Sequence, residues 1–81
     1  MDILIVEDNV GGISNLTQRI REWGHSAENA DTCKDALDKV KQKRFDLILL
    51  DIFLPDGKGH EIIPQFKELW PDVGIVTMTG Y

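Results

Sequence analysis

Ile3-Leu4-Ile5-Val6-Glu7-Asp8 and Asp46-Leu47-Ile48-Leu49-Leu50-Asp51 are the two stretches on which the fold turns. Each is a short apolar run that ends in acid, the pattern of a strand buried on both faces. If the two lie parallel and adjacent, their C-terminal ends bring Glu7, Asp8 and Asp51 into one crevice. Three such groups repel one another, and a hard divalent cation with oxygen ligands is the simplest relief. An acidic pocket of this kind at the carboxyl edge of a parallel sheet is a site, not a stabilising device.

Outward from those strands, helical and strand-like segments alternate. Asp8 or Asn9 can cap a helix whose apolar stripe is Val10, Ile13, Leu16, Ile20 and Trp23. Gly11 and Gly12 weaken its first turn by about 1 kcal/mol each relative to alanine, and Gly24 stops it. His25 to Ala30 reads as a short, polar edge strand. Asp31 or Thr32 begins a second helix, with Thr32 and Asp35 resembling a weak capping box and Cys33, Ala36, Leu37 and Val40 as its stripe. Phe45 to Leu50 is the next strand, and Asp51 to Gly59 is a loop punctuated by Pro55, Gly57 and Gly59. A third helix is expected from His60 to Trp70, with Pro64 in its first turn and Pro71 ending it. Val73 to Met78 is a fourth strand. The order β-α-β-α-β-α-β implies an α/β fold with parallel pairing and right-handed crossovers.

The chain has 81 residues, enough for one small domain over 1–81 with a core of marginal size. Fourteen acids against nine bases leave a net charge of −5, which argues against nucleic acid as a direct partner. Lys34, Lys39, Lys41, Lys43 and Arg44 cluster as the solvated face of one helix. A single cysteine, Cys33, excludes an internal disulfide and every multi-cysteine metal site, which fits a reducing compartment. No apolar run reaches the length of a membrane span, and no basic stretch precedes the first strand, so the expected location is cytoplasmic.

Four motifs in order carry a family resemblance: Ile3-Leu4-Ile5-Val6-Glu7-Asp8-Asn9, Asp46-Leu47-Ile48-Leu49-Leu50-Asp51, Leu54-Pro55-Asp56-Gly57 and Met78-Thr79-Gly80. Together they resemble the receiver domain of bacterial two-component response regulators. The resemblance implies a flavodoxin-like sheet of order 2-1-3-4, with Asp51 as the acceptor of a phosphoryl group from a histidine kinase or phosphotransfer protein. It implies Mg²⁺ held by Asp8, Asp51 and the Phe53 backbone carbonyl directly and by Glu7 through water, and Thr79 as the hydroxyl that bonds the phosphoryl group. Pro55 and Gly57 shape the loop beside the acceptor. The chemistry is compatible, since an aspartate accepts phosphoryl only as a carboxylate that a donor can reach in line.

The same resemblance sets an expectation of truncation. The last helix-strand-helix of the receiver fold, with its lysine and its switching aromatic residue, has no counterpart before Tyr81. The Val73–Met78 edge and the faces of the first and third strands should then be bare, which implies either a homodimer through them or a sequence that is a fragment of a longer protein. Two other functions stay open: a degenerate receiver that only self-associates, and a small metal-dependent phosphohydrolase using Asp51, which lacks an evident general acid. Among the remaining residues, His25 and His60 are expected in solvent, Cys33 as a half-buried small hydrophobe, and Trp23 and Trp70 on the core rim.

Overall fold

The structure, a computed structural model, describes residues 1–78. Strand β1 (Asp2–Val6) leads into helix α1 (Val10–Glu22), β2 (Ser26–Ala30), helix α2 (Cys33–Gln42) and β3 (Leu47–Asp51). A two-stranded ribbon of β4 (Phe53–Leu54) and β5 (Gly57–Lys58) follows, then a single 3₁₀ turn (Gly59–Ile62), helix α3 (Ile63–Leu69) and β6 (Gly74–Met78). The main sheet has the order β2-β1-β3-β6 and is parallel throughout. This is the order expected, with β6 as the fourth main strand.

The helix ends show why the elements stop where they do. Asn9 caps α1 by accepting the Gly12 N–H at 3.1 Å. At the other end, Gly24 takes a left-handed φ of 86°, its N–H reaches the Arg21 carbonyl, and the His25 N–H reaches Ile20. That double closure needs a residue without a Cβ penalty, as glycine is. Thr32 caps α2 through the Asp35 N–H at 3.0 Å. Helix α3 begins later than the apolar pattern suggested, because the chain first makes the 3₁₀ turn and Pro64 then sits in the first α-turn.

Two apolar layers flank the sheet. Helices α2 and α3 pack on Leu4, Val6, Ile48 and Leu50, with Phe45, Phe66 and Val73 filling the space between. Helix α1 packs through Ile20 and Leu16 on Ile3, Ile5 and Ala27. Parallel register carries the second face onward, since Ile3 and Ile5 pair with Leu47 and Leu49, and these with Gly74 and Val76. Along that row burial fades: Ile5 is fully buried, Leu47 and Leu49 are half-buried, and Val76 is 50% exposed. The bare apolar surface therefore lies on β3 and β6, while β1 is covered by α1.

Three side-chain expectations need correction. Trp23 is 70% exposed, because as the α1 C-cap it has already turned off the buried stripe. His25 is half-buried, with Nδ1 3.0 Å from the amino terminus of Met1. Cys33 is buried rather than half-buried, with its Sγ beside Gly57 of the ribbon. Trp70 does lie on the rim, half-buried, and donates from Nε1 to the Val40 carbonyl at 2.7 Å, tying α3 to α2. No helix among the described residues is long and apolar enough to cross a membrane.

Phe66 is completely buried at the α2–α3–sheet junction. Phe66→Ala is therefore expected to cost about 3–5 kcal/mol of stability, read as a lower urea midpoint with an unchanged slope.

Candidate functional site

The crevice is built by register. Val6 pairs with Leu50, so the next residues, Glu7 and Asp51, leave neighbouring strands side by side. Burial differs sharply across the group: Asp51 is 6% exposed, Glu7 half-buried and Asp8 exposed. One carboxylate oxygen from each of Glu7, Asp8 and Asp51 lies within 4.8 Å of the others. All three acids singled out from the sequence are brought together. Phe53 begins the ribbon just beyond, and its N–H donates to Asp51 Oδ1 at 3.3 Å. Thr79, the fifth expected site residue, lies outside the described residues.

Glu7 and Asp51 are oriented by backbone amides two residues on. Glu7 Oε1 accepts the Asn9 N–H at 3.0 Å, while the Glu7 N–H is fixed to the Ala30 carbonyl at 2.9 Å. The Phe53 N–H likewise restrains the Asp51 carboxylate. Gly59 closes the floor: its N–H donates to the Ile52 carbonyl at 2.6 Å, and a Cβ there would run into the Asp51 carbonyl oxygen. Only glycine allows that approach.

The three carboxylates also bear on one another electrostatically. Burial pushes the Glu7 carboxyl above the usual glutamate range; the Asn9 N–H opposes this, and the charges of Asp51 and Asp8 add to it. Oxygens bound to one hard cation at about 2.0–2.6 Å are separated by no more than about 4–5 Å, and the trio meets that bound. The donor set is oxygen only, with one member exposed enough to adjust. These residues fit Mg²⁺ or Ca²⁺ and do not fit a soft metal.

Comparison with known proteins agrees with this arrangement. A family profile for the response regulator receiver domain matches residues 3–81. The chain belongs to this family. Among curated receivers, it is 35% identical over 81 residues to the transcriptional regulatory protein ZraR of Klebsiella oxytoca, spanning all of this chain and 18% of that one. A solved response regulator of Burkholderia pseudomallei, holding a phosphorylated aspartic acid, a calcium ion and citrate, superposes with a TM-score of 0.93 at 26% identity. That match covers 99% of this chain and 47% of the other. The beryllofluoride-activated NtrC4 receiver domain dimer gives a TM-score of 0.92 at 34% identity, covering 98% of this receiver and 65% of that chain.

One contact near the site was not legible in the sequence. Asp56, at the tip of the ribbon, accepts the Cys33 N–H at 2.8 Å and the Lys34 N–H at 3.1 Å. These bonds hold its carboxyl below the usual aspartate range. The Cys33 thiol is pushed up to about 11, first by burial and then by the Asp56 carboxylate. A thiol so placed stays protonated and poorly nucleophilic.

The Glu7 shift predicts a pH effect with a definite sign. A carboxyl whose folded pKa is raised contributes stability below the ordinary glutamate range and loses it as pH rises through the raised value. Metal-free Glu7→Gln should therefore resist urea better than wild type near neutral pH, and the two should converge in acid. Excess Mg²⁺ should reverse the ranking at neutral pH.

Proposed function

We propose that this receiver takes a phosphoryl group on Asp51 from a histidine kinase or phosphotransfer protein. The observation that carries this reading is the gathering of the buried Asp51 with Glu7 and Asp8 at the carboxyl edge of the sheet. The phosphorylated aspartate of the similar Burkholderia structure supports it. One Asp51 oxygen attacks the phosphorus in line. The donor's P–N bond breaks with its electron pair leaving on the imidazole, and an acyl phosphate remains.

The chain's own groups set up that attack. The Phe53 N–H holds Oδ1 and limits rotation of the carboxylate. Burial strips the nucleophile of much of its water. Asp8, Asp51 and the Phe53 carbonyl would hold Mg²⁺ directly, with Glu7 reaching it through water. Bound there, the ion neutralises charge that would otherwise repel the donor phosphate. Thr79 is assigned the hydroxyl that bonds the phosphoryl oxygens afterwards. The receiver promotes only this transfer, in the cytoplasm, and is not an enzyme of independent substrates.

The proposal includes a homodimer. Half-buried Leu47 and Leu49 and the exposed Val76 form one apolar row beside the open edge of β6. A second copy that pairs with this edge or covers this row removes it from water. The similar NtrC4 receiver is a dimer, which supports self-association as such.

Incubation with Mg²⁺ and acetyl phosphate should add the mass of one phosphoryl group. Asp51→Asn should abolish the adduct, and chelation should suppress it. An adduct of equal yield in Asp51→Asn would remove the assignment. Sedimentation should give a mass that rises with concentration, and Val76→Lys should shift it toward monomer; a monomer at every concentration contradicts the dimer.

A further inference from the structure

The ribbon beside Asp51 is anchored at a distance. Pro55 and Asp56 form the tip between β4 and β5, where Leu54 pairs with Gly57 and Phe53 with Lys58. From that tip Asp56 reaches the first turn of α2, and its two carboxylate oxygens take the Cys33 and Lys34 N–H groups separately. Thr32 takes the Asp35 N–H. Three amides that a helix start leaves without partners are thus divided between a local cap and a residue more than twenty positions away.

The division matters because the two caps stabilise the same helix and differ in what else they hold. Thr32 is bonded within its own turn. Asp56 ties α2 to the ribbon whose base, Phe53, donates to the Asp51 carboxylate and which runs on into Gly59, packed against the Asp51 backbone. Helix α2 is in turn anchored to the sheet through Ala36 and Val40. A charge-assisted pair of bonds therefore runs from a rigid helix to the wall of the acidic crevice. Without it, the tip of the ribbon is held by a two-residue pairing, marginal alone, and by the packing of Leu54 against the core.

We propose that Asp56 is a positioning residue for the Asp51 site: its carboxylate clamps the ribbon on the α2 N-terminus and so holds Phe53 where it orients Asp51 and faces the cation. This rests on the reading of Asp51, Asp8 and Phe53 as the ion-binding group. The clamp acts on the ligands through their support, in the way outer partners of metal ligands do.

Thr32→Ala supplies the control, since it removes a cap from the same helix without touching the ribbon. Asp56→Ala should weaken Mg²⁺ affinity about 10-fold, slow phosphorylation by acetyl phosphate, and speed hydrogen exchange at the Phe53 and Gly59 amides. Thr32→Ala should lower the urea midpoint comparably and leave those three readouts at wild-type values. Asp56→Asn, which keeps one acceptor oxygen, should fall between. Equal losses in Asp56→Ala and Thr32→Ala, or wild-type affinity in Asp56→Ala, overturn the proposal. If Asp56→Ala does not fold, Asp56→Asn against Thr32→Ala decides by the same readouts. If wild type accepts no phosphoryl group, the function reading fails, while exchange at Phe53 and Gly59 still decides the role of Asp56.

Discussion

The parallel pairing of β1 with β3, in the register Ile3↔Leu47 to Val6↔Leu50, is the constraint on which the rest depends. It gives the sheet two apolar faces at once, so helices must cover both. It also ends two strands level with each other, which forces Glu7 and Asp51 together whatever their mutual repulsion. A slip of one residue would send the alternating Ile3, Ile5, Leu47 and Leu49 to the wrong layer. The same hydrophobic burial that holds the sheet therefore also holds a charge arrangement that is unfavourable by itself. Stability in the core is what makes the unstable crevice possible.

That tension explains the distribution of polar contacts. Asp51 is the buried acid, and among the described residues its hydrogen bond comes from the Phe53 backbone N–H. Glu7 is treated similarly by Asn9. Backbone amides orient carboxylates without neutralising them, which leaves the negative charge for an ion. The opposite end of the sheet is built differently: Lys43 pairs with Glu28 and approaches Asp2, Ser26 bonds Asp2, and Asp46 accepts the Asp2 N–H. There Lys43 lies between Asp2 and Glu28 and offsets part of their charge.

Much of this was legible beforehand because it depends on local pattern. Apolar runs ending in acid gave the strands and the three carboxylates, while residue type left Asp8 or Asn9 and Asp31 or Thr32 as caps, of which Asn9 and Thr32 serve. Trp23 misled because its position continues the i, i+3, i+4 stripe, and periodicity does not register that the helix has already ended at Glu22. His25 was misplaced because its neighbour, the amino terminus of Met1, comes from the paired strand. Asp56 could be read only as a turn residue before Gly57. Its real partners, the amides of Cys33 and Lys34, are a tertiary fact with no spacing signature. An aspartate at a ribbon tip facing a helix start is the signal that could have suggested it, once the layers were known.

The central claim is that Glu7, Asp8 and Asp51 form one cation site at the sheet's carboxyl edge. Paramagnetic broadening by substoichiometric Mn²⁺ in an amide NMR spectrum tests it most directly. The account predicts loss of signal centred on Glu7, Asp8, Asp51 and Phe53, reversed by excess Mg²⁺ and absent in Asp51→Asn. Broadening centred elsewhere, or persisting unchanged in Asp51→Asn, would contradict it.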